Sequence, residues 1–387
     1  MKLKLGLAAV AGAAFFVVGA AVAQEPIKVG AVLEVTGPFA SLAKQIEQGM
    51  RLYMARNGDT VAGRKIELII KDSTGAQPDV AKRLVTELVT RDKVDFIVGF
   101  ALTPNAMAAA PVVTEAKVPT IIMNAATSAI VSKSPYMARV SMTLPQVTMP
   151  IAEWAVKNKI KRVYSLVADF GPGLDAEATF KKYFTAAGGE IVGDVRYALK
   201  NPDFGPYIQR IKDAKPEAVF IFVPAGEQAV AFMKAYRERG LAEAGIRVIG
   251  PGDVVEDDVI EAIGDSALGA ITTHHYSAAH DSPANRDYVK AYTEKFKMRP
   301  NFMSVGGYDG MHVVYEVVRK LNGRIDPDKA MDIIKGMKID SPRGPIQIDA
   351  KTRDVVQTVY VRKVEKKDGQ LYNIEFDKFE NVRDPGT

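Results

Sequence analysis

Apolar positions along the chain switch repeatedly between two periods. Ile27 to Leu33 is a short apolar-rich run closed by Gly37 and Pro38, which predicts a buried strand and a turn. Leu42 to Met54 then carries its apolar residues at helical spacing. The exchange repeats. Ile66 to Ile70, Val94 to Val98 and Val118 to Met123 predict strands, with helices over Val80 to Val89 and Ala106 to Glu115. Strands separated by helix-length segments imply a parallel sheet covered on both faces.

The pattern restarts at Arg162. Strands are predicted over Arg162 to Val167, Ile191 to Tyr197, Ala218 to Val223 and Ile246 to Ile249. Helices fall over Ala176 to Ala187, Phe204 to Ala214 and Glu227 to Arg239. The fold class is therefore α/β, with two doubly wound parallel-sheet lobes. Three further helices follow, over Asp287 to Phe296, Gly307 to Leu321 and Asp328 to Met337. The last strands, Val355 to Val364 and Leu371 to Phe379, flank Asp368-Gly369, a favoured hairpin turn. Returning the helices to the first lobe and the hairpin to the second makes a three-segment hinge. Lobe 1 is then 24–142 with 275–352, and lobe 2 is 143–274 with 353–387. Hinged lobes close on small ligands.

One stretch stands out. Val118 to Met123 ends in Asn124, Ala125, Ala126, Thr127 and Ser128, which are small side chains with amide and hydroxyl groups. Such a segment either caps a helix or leaves room for a bound molecule.

The N-terminus changes where this protein is expected to work. Lys2 and Lys4 precede a weakly apolar run from Leu5 to Val22, and Ala21-Val22-Ala23 offers a cleavage site. This predicts a secretory signal peptide over 1–23 and a periplasmic product with no membrane span. The chain has no cysteine, so an exported form is stabilised by its core alone. The formal charge of +5 is interspersed with acids and makes no nucleic-acid footprint.

Candidate chemistry is sparse. Gly171-Pro-Gly-Leu-Asp-Ala176 has the form of a dinucleotide fingerprint, but Pro172 removes an N–H and Asp169 would repel phosphate. A tight turn opening a helix is the better reading. His274 and His275 are adjacent, so on a strand they point to opposite faces and do not chelate one ion. No nucleophile elbow, P-loop or zinc-protease motif is present. The expectation is a binding protein, not an enzyme, without metal or cofactor.

The order of several motifs resembles the periplasmic substrate-binding proteins of ABC transporters, of the leucine/isoleucine/valine-binding type. The carriers are Thr36 to Ala40, Val98 to Thr103, Val118 to Thr127, Asp169 to Leu174, Asn201 to Phe204 and Gly307 to Gly310. The resemblance implies the type I periplasmic binding protein fold and an ABC permease as partner. It also implies that a ligand carboxylate sits on lobe 1, at Ala101, Leu102 and Thr103 and at Asn124, Ala125 and Thr127. Amino-acid binders of this family carry a tyrosine where this chain has Ala225. Their acid for the ammonium group aligns one residue before Asp253. Leu42 stands where another tyrosine is expected, Phe170 where an aromatic faces the ligand, and Met303 in place of a pocket aromatic. These departures imply a larger, more apolar cavity and an aromatic acid of the benzoate or phenylpropanoid kind, with a branched-chain amino acid or a sensory role as alternatives. Tyr276 and Tyr308, near the crossings, complete the candidate ligand contacts.

Overall fold

The computed structural model describes residues 25–200 and 202–386; the predicted signal peptide lies outside them. The first lobe opens with β1 (Ile27–Leu33), α1 (Ala40–Asn57), β2 (Thr60–Val61), β3 (Arg64–Asp72) and α2 (Pro78–Glu87). It continues through β4 (Phe96–Gly99), α3 (Thr103–Glu115), β5 (Thr120–Ile122) and β6 (Met137–Arg139). The sheet order is β2-β3-β1-β4-β5-β6. β1, β4 and β5 pair in parallel at its centre, and nearly every side chain on them is buried. That explains their unbroken apolar runs, because both faces of the sheet are covered.

α4 (Leu144–Lys157) begins the second lobe, its first turn capped by the Thr143 hydroxyl at 3.1 Å from the Gln146 N–H. Next come β7 (Arg162–Ala168), α5 (Gly171–Ala186), β8 (Glu190–Tyr197), α6 (Gly205–Ala214), β9 (Ala218–Phe222) and α7 (Glu227–Glu238). β10 (Arg247–Pro251), α8 (Ile260–Ile263) and β11 (Ile271–His274) bring the chain back to the hinge. α9 (Pro283–Phe296), α10 (Phe302–Lys320) and α11 (Pro327–Ile334) follow, and α9 and α10 pack on α1.

The tail departs from the sequence division. β12 (Lys338–Ser341) and β13 (Gly344–Ile348) precede β14 (Val355–Lys367) and β15 (Gln370–Val382). The second sheet runs β12-β13-β14-β11-β10-β9-β7-β8, with β15 on β14. Residues 338–348, assigned to lobe 1 from the sequence, therefore extend the second sheet by antiparallel pairing. Their turn reaches back, for the Arg139 N–H donates to the Arg353 carbonyl at 3.0 Å. The third crossing is thus a paired band of backbone rather than a single linker. Asp368 and Gly369 both take positive φ, 53° and 80°, which suits the expected two-residue hairpin turn.

Lobe 1 depends on a close helix crossing. A Cβ at Gly49 of α1 would overlap the Ser304 carbonyl oxygen of α10, and one at Gly307 would overlap the Ile46 carbonyl oxygen. Alanine normally stabilises a helix relative to glycine by about 1 kcal/mol. Here backbone oxygen blocks the site, and Gly49→Ala is expected to destabilise the protein by about 3 kcal/mol, read by urea denaturation. An unchanged or raised midpoint would show that the helices separate at little cost.

Candidate ligand-binding cleft

Loops leaving the C-terminal ends of parallel strands gather at the crevice of an open α/β sheet. Both lobes turn those ends toward each other. From lobe 1 come Leu42 of α1, Ala101 to Thr103 after β4, and Asn124 after β5. From lobe 2 come Phe170 after β7, Ala225 after β9 and Asp253 after β10. Together they line a narrow cavity between the lobes.

Four other expected residues are placed elsewhere. Ala125 lies behind the cavity, and its N–H donates to the Phe100 carbonyl at 2.9 Å. Thr127 stands behind Thr103, with the two hydroxyl oxygens 3.0 Å apart. Tyr276 is wholly buried beside Tyr288. Tyr308 sits on the far side of α10, its ring 4.9 Å from that of Tyr53. Neither tyrosine lines the cavity, because Tyr276 packs on Tyr288 and Tyr308 on Tyr53 and Tyr288.

The walls include residues that the motifs did not mark. Phe222 lies 6.0 Å from the Phe170 ring at 26°, forming a stacked pair. Phe302, with Met303, opens α10, and Met142 and Leu144 flank the first crossing. Phe222 was hidden in a strand that is apolar throughout. Phe302 was discoverable only from its place next to the Asn301 cap, whose side chain accepts from the Met303 and Ser304 N–H groups. Phe302 also packs its ring 4.3 Å from that of His274. The cavity wall therefore touches the hinge.

Polar groups divide between the two ends. On the lobe 1 side, Thr103 is the first residue of α3, whose N-terminus carries partial positive charge. Among the described residues the Thr103 N–H meets no acceptor. Across the cleft, α5 begins at Gly171, and a Cβ there would lie 2.6 Å from the Thr127 hydroxyl oxygen and 3.3 Å from Thr103 Cγ2. Two helix N-termini thus converge, an arrangement suited to an anion. The Ala101 N–H is not available, since it donates to the buried Glu34 carboxylate at 3.3 Å. Burial pushes Glu34 up to about 7, against the lowering effect of Asn105, which donates to it at 2.7 Å. Asn124 donates its amide to the Ala101 carbonyl at 2.8 Å and so holds the two loops together.

On the lobe 2 side the polar group is Asp253. It is 7% exposed, its Oδ2 has no hydrogen-bond partner, and burial raises its carboxyl to about 7. Lobe-to-lobe bonds complete the closed arrangement. The Ser128 N–H donates to Asp175 of α5 at 3.0 Å, and Arg299 pairs with the buried Asp257 at 2.8 Å. Among the described residues no group of three or more metal-ligating side chains exists, and no helix is long and apolar enough to cross a membrane.

Two α/β lobes, a three-part hinge and an interlobe cavity define a solute-binding protein of the type I fold. Residues 26–370 match the periplasmic binding protein family, and the chain belongs to it. It is 43% identical over 383 residues to a Leu/Ile/Val-binding protein homologue of Brucella melitensis, covering 98% of both chains. A solute-binding protein of an ABC transporter from Rhodopseudomonas palustris BisB5, solved with 3,4-dihydroxybenzoic acid, superposes with a TM-score of 0.91 at 55% identity, over 93% of this chain and 99% of that one. Another from R. palustris, solved with 4-hydroxybenzoate, has the same TM-score at 41% identity, over 94% and 99%.

Proposed function

We propose that the protein captures a small aromatic carboxylate, of the benzoate or phenylpropanoid type, and delivers it to an ABC permease. The observation that carries this is the cavity itself, where the aromatic rings of Phe170, Phe222 and Phe302 surround a slot that has an anion-suited end at Thr103. A flat ring gains from burial against such walls, and offset stacking adds about 0.5–1.5 kcal/mol per aromatic pair. Each hydrogen bond to the ligand carboxylate adds about 1.5–3 kcal/mol. The relatives solved with hydroxylated benzoates support the same ligand class. Capture requires no chemistry beyond closure, so no turnover is expected. Export through cleavage after Ala23 and periplasmic residence belong to the same reading.

Asp253 favours one competing ligand, since a buried carboxylate also suits the ammonium group of an amino acid. A thermal-shift and calorimetry panel separates the two. Benzoates at about one hundred times Kd should add about 2.7 kcal/mol to stability and raise the melting point by several degrees. Leucine, isoleucine and valine should leave it unmoved. Tight leucine binding without response to any aromatic acid would refute the proposal.

A further inference from the structure

Asp253 has a position and an environment that the aromatic-acid reading alone does not use. It lines the cavity, is more than nine-tenths buried, and leaves Oδ2 unpartnered. The nearest cation is Arg362, whose guanidinium lies against Gly252 but donates to the Tyr276 carbonyl at 2.5 Å and the Thr272 hydroxyl at 3.3 Å, not to Asp253. Asp258 and Glu256 are the other charged groups near it. A buried carboxyl oxygen is costly to leave unpartnered unless something donates to it.

Topology sets where that donor must be. β7, β9 and β10 are neighbours in the second sheet. The start of α5 follows β7 and Asp253 follows β10, so two strand spacings, about 10 Å, separate their backbones. A carboxylate at Thr103 and the start of α5 therefore has Asp253 across the width of the cavity. An α-ammonium lies only two bonds from its carboxylate carbon. A hydroxyl opposite the carboxylate on a six-membered ring lies at the far end of the molecule.

We infer that Asp253 is the specificity-determining residue for a ring hydroxyl, accepting a hydrogen bond from a phenolic group para to the ligand carboxylate. This rests on the aromatic-acid reading and narrows it to hydroxylated benzoates. The donated hydrogen bond stabilises the ionised acid, so the preference for the hydroxyl grows as pH rises from 6 to 8, across the range where Asp253 loses its proton.

Calorimetry with benzoate, 4-hydroxybenzoate and 4-methoxybenzoate tests it. The methoxy compound keeps the oxygen and loses the donor. Wild-type protein should bind the hydroxy compound about tenfold or more tightly than either of the others. In Asp253→Leu the ratio should collapse to within about twofold, with a cooperative melt confirming the fold. Asp253→Asn retains an acceptor and should keep part of the preference, without its growth toward pH 8. Benzoates that bind without hydroxyl preference, or a preference that survives Asp253→Leu, overturn this inference alone. No binding of any benzoate overturns the aromatic-acid reading and this inference with it.

Discussion

Gly171→Val is expected to weaken ligand binding by about 5- to 150-fold while leaving the lobes folded. The side chain would enter the closest approach between the lobes, where even a Cβ meets the Thr127 hydroxyl at 2.6 Å. That hydroxyl is not free to swing away at no cost, because it pairs with the Thr103 hydroxyl at 3.0 Å. Overpacking of this kind costs about 1–3 kcal/mol, which is the stated range in affinity. The cost falls on the closed form alone, since opening the cleft moves α5 away from Thr103 and Thr127. A ligand shifts the open–closed equilibrium only as far as it prefers the closed state, so raising the energy of that state lowers apparent affinity directly. Calorimetry reads the affinity, and small-angle scattering with ligand reads the remaining opening. Wild-type affinity in a variant that still compacts would show that the two helix starts do not meet in the bound form.

Arg362→Met is expected to lower global stability by about 3–5 kcal/mol. Arg362 and Glu256 are both fully buried, 3.6 Å apart. Burial raises the Glu256 carboxyl well above its ordinary range, and Arg362 is the main opposing influence. Removing the cation leaves Glu256 uncompensated beside Asp257, Asp258 and Asp253. Glu256→Gln in the same chain should recover part of the loss, because the unpaired charge rather than the missing packing dominates. The pH dependence has a definite sign. A carboxyl whose folded pKa is raised above its unfolded value binds its proton more tightly when folded, so its penalty is absent at low pH and grows as pH rises through that window. The loss in Arg362→Met should therefore be larger at pH 8 than at pH 5. Urea denaturation at both values checks this; a loss under about 1 kcal/mol at pH 8 would count against the buried-charge account.

The sequence by itself determined the two-lobed α/β plan, because a buried parallel strand must be apolar on both faces and its crossover helix on one. Those two periods were legible from Ile27 to Ile249, and the final hairpin from its Asp368-Gly369 turn. The resemblance to the binding-protein family points to Leu42, Thr103, Asn124, Phe170, Ala225 and Asp253, the last two as departures from its amino-acid binders. Only the tertiary structure decided which of them meet. β12 and β13 carry too few residues for a strand period to stand out, and they join the sheet by pairing with each other and, through β13, with β14. The resemblance implies Ala101 at the ligand carboxylate, but Glu34, distant in sequence, accepts the Ala101 N–H. Tyr276 is wholly buried beside Tyr288, and Tyr308 is half-buried against Tyr53, so neither lines the cavity. A cavity depends on how two sheets face each other, and that relation is set by contacts between residues hundreds of positions apart, which periodicity along one chain does not encode.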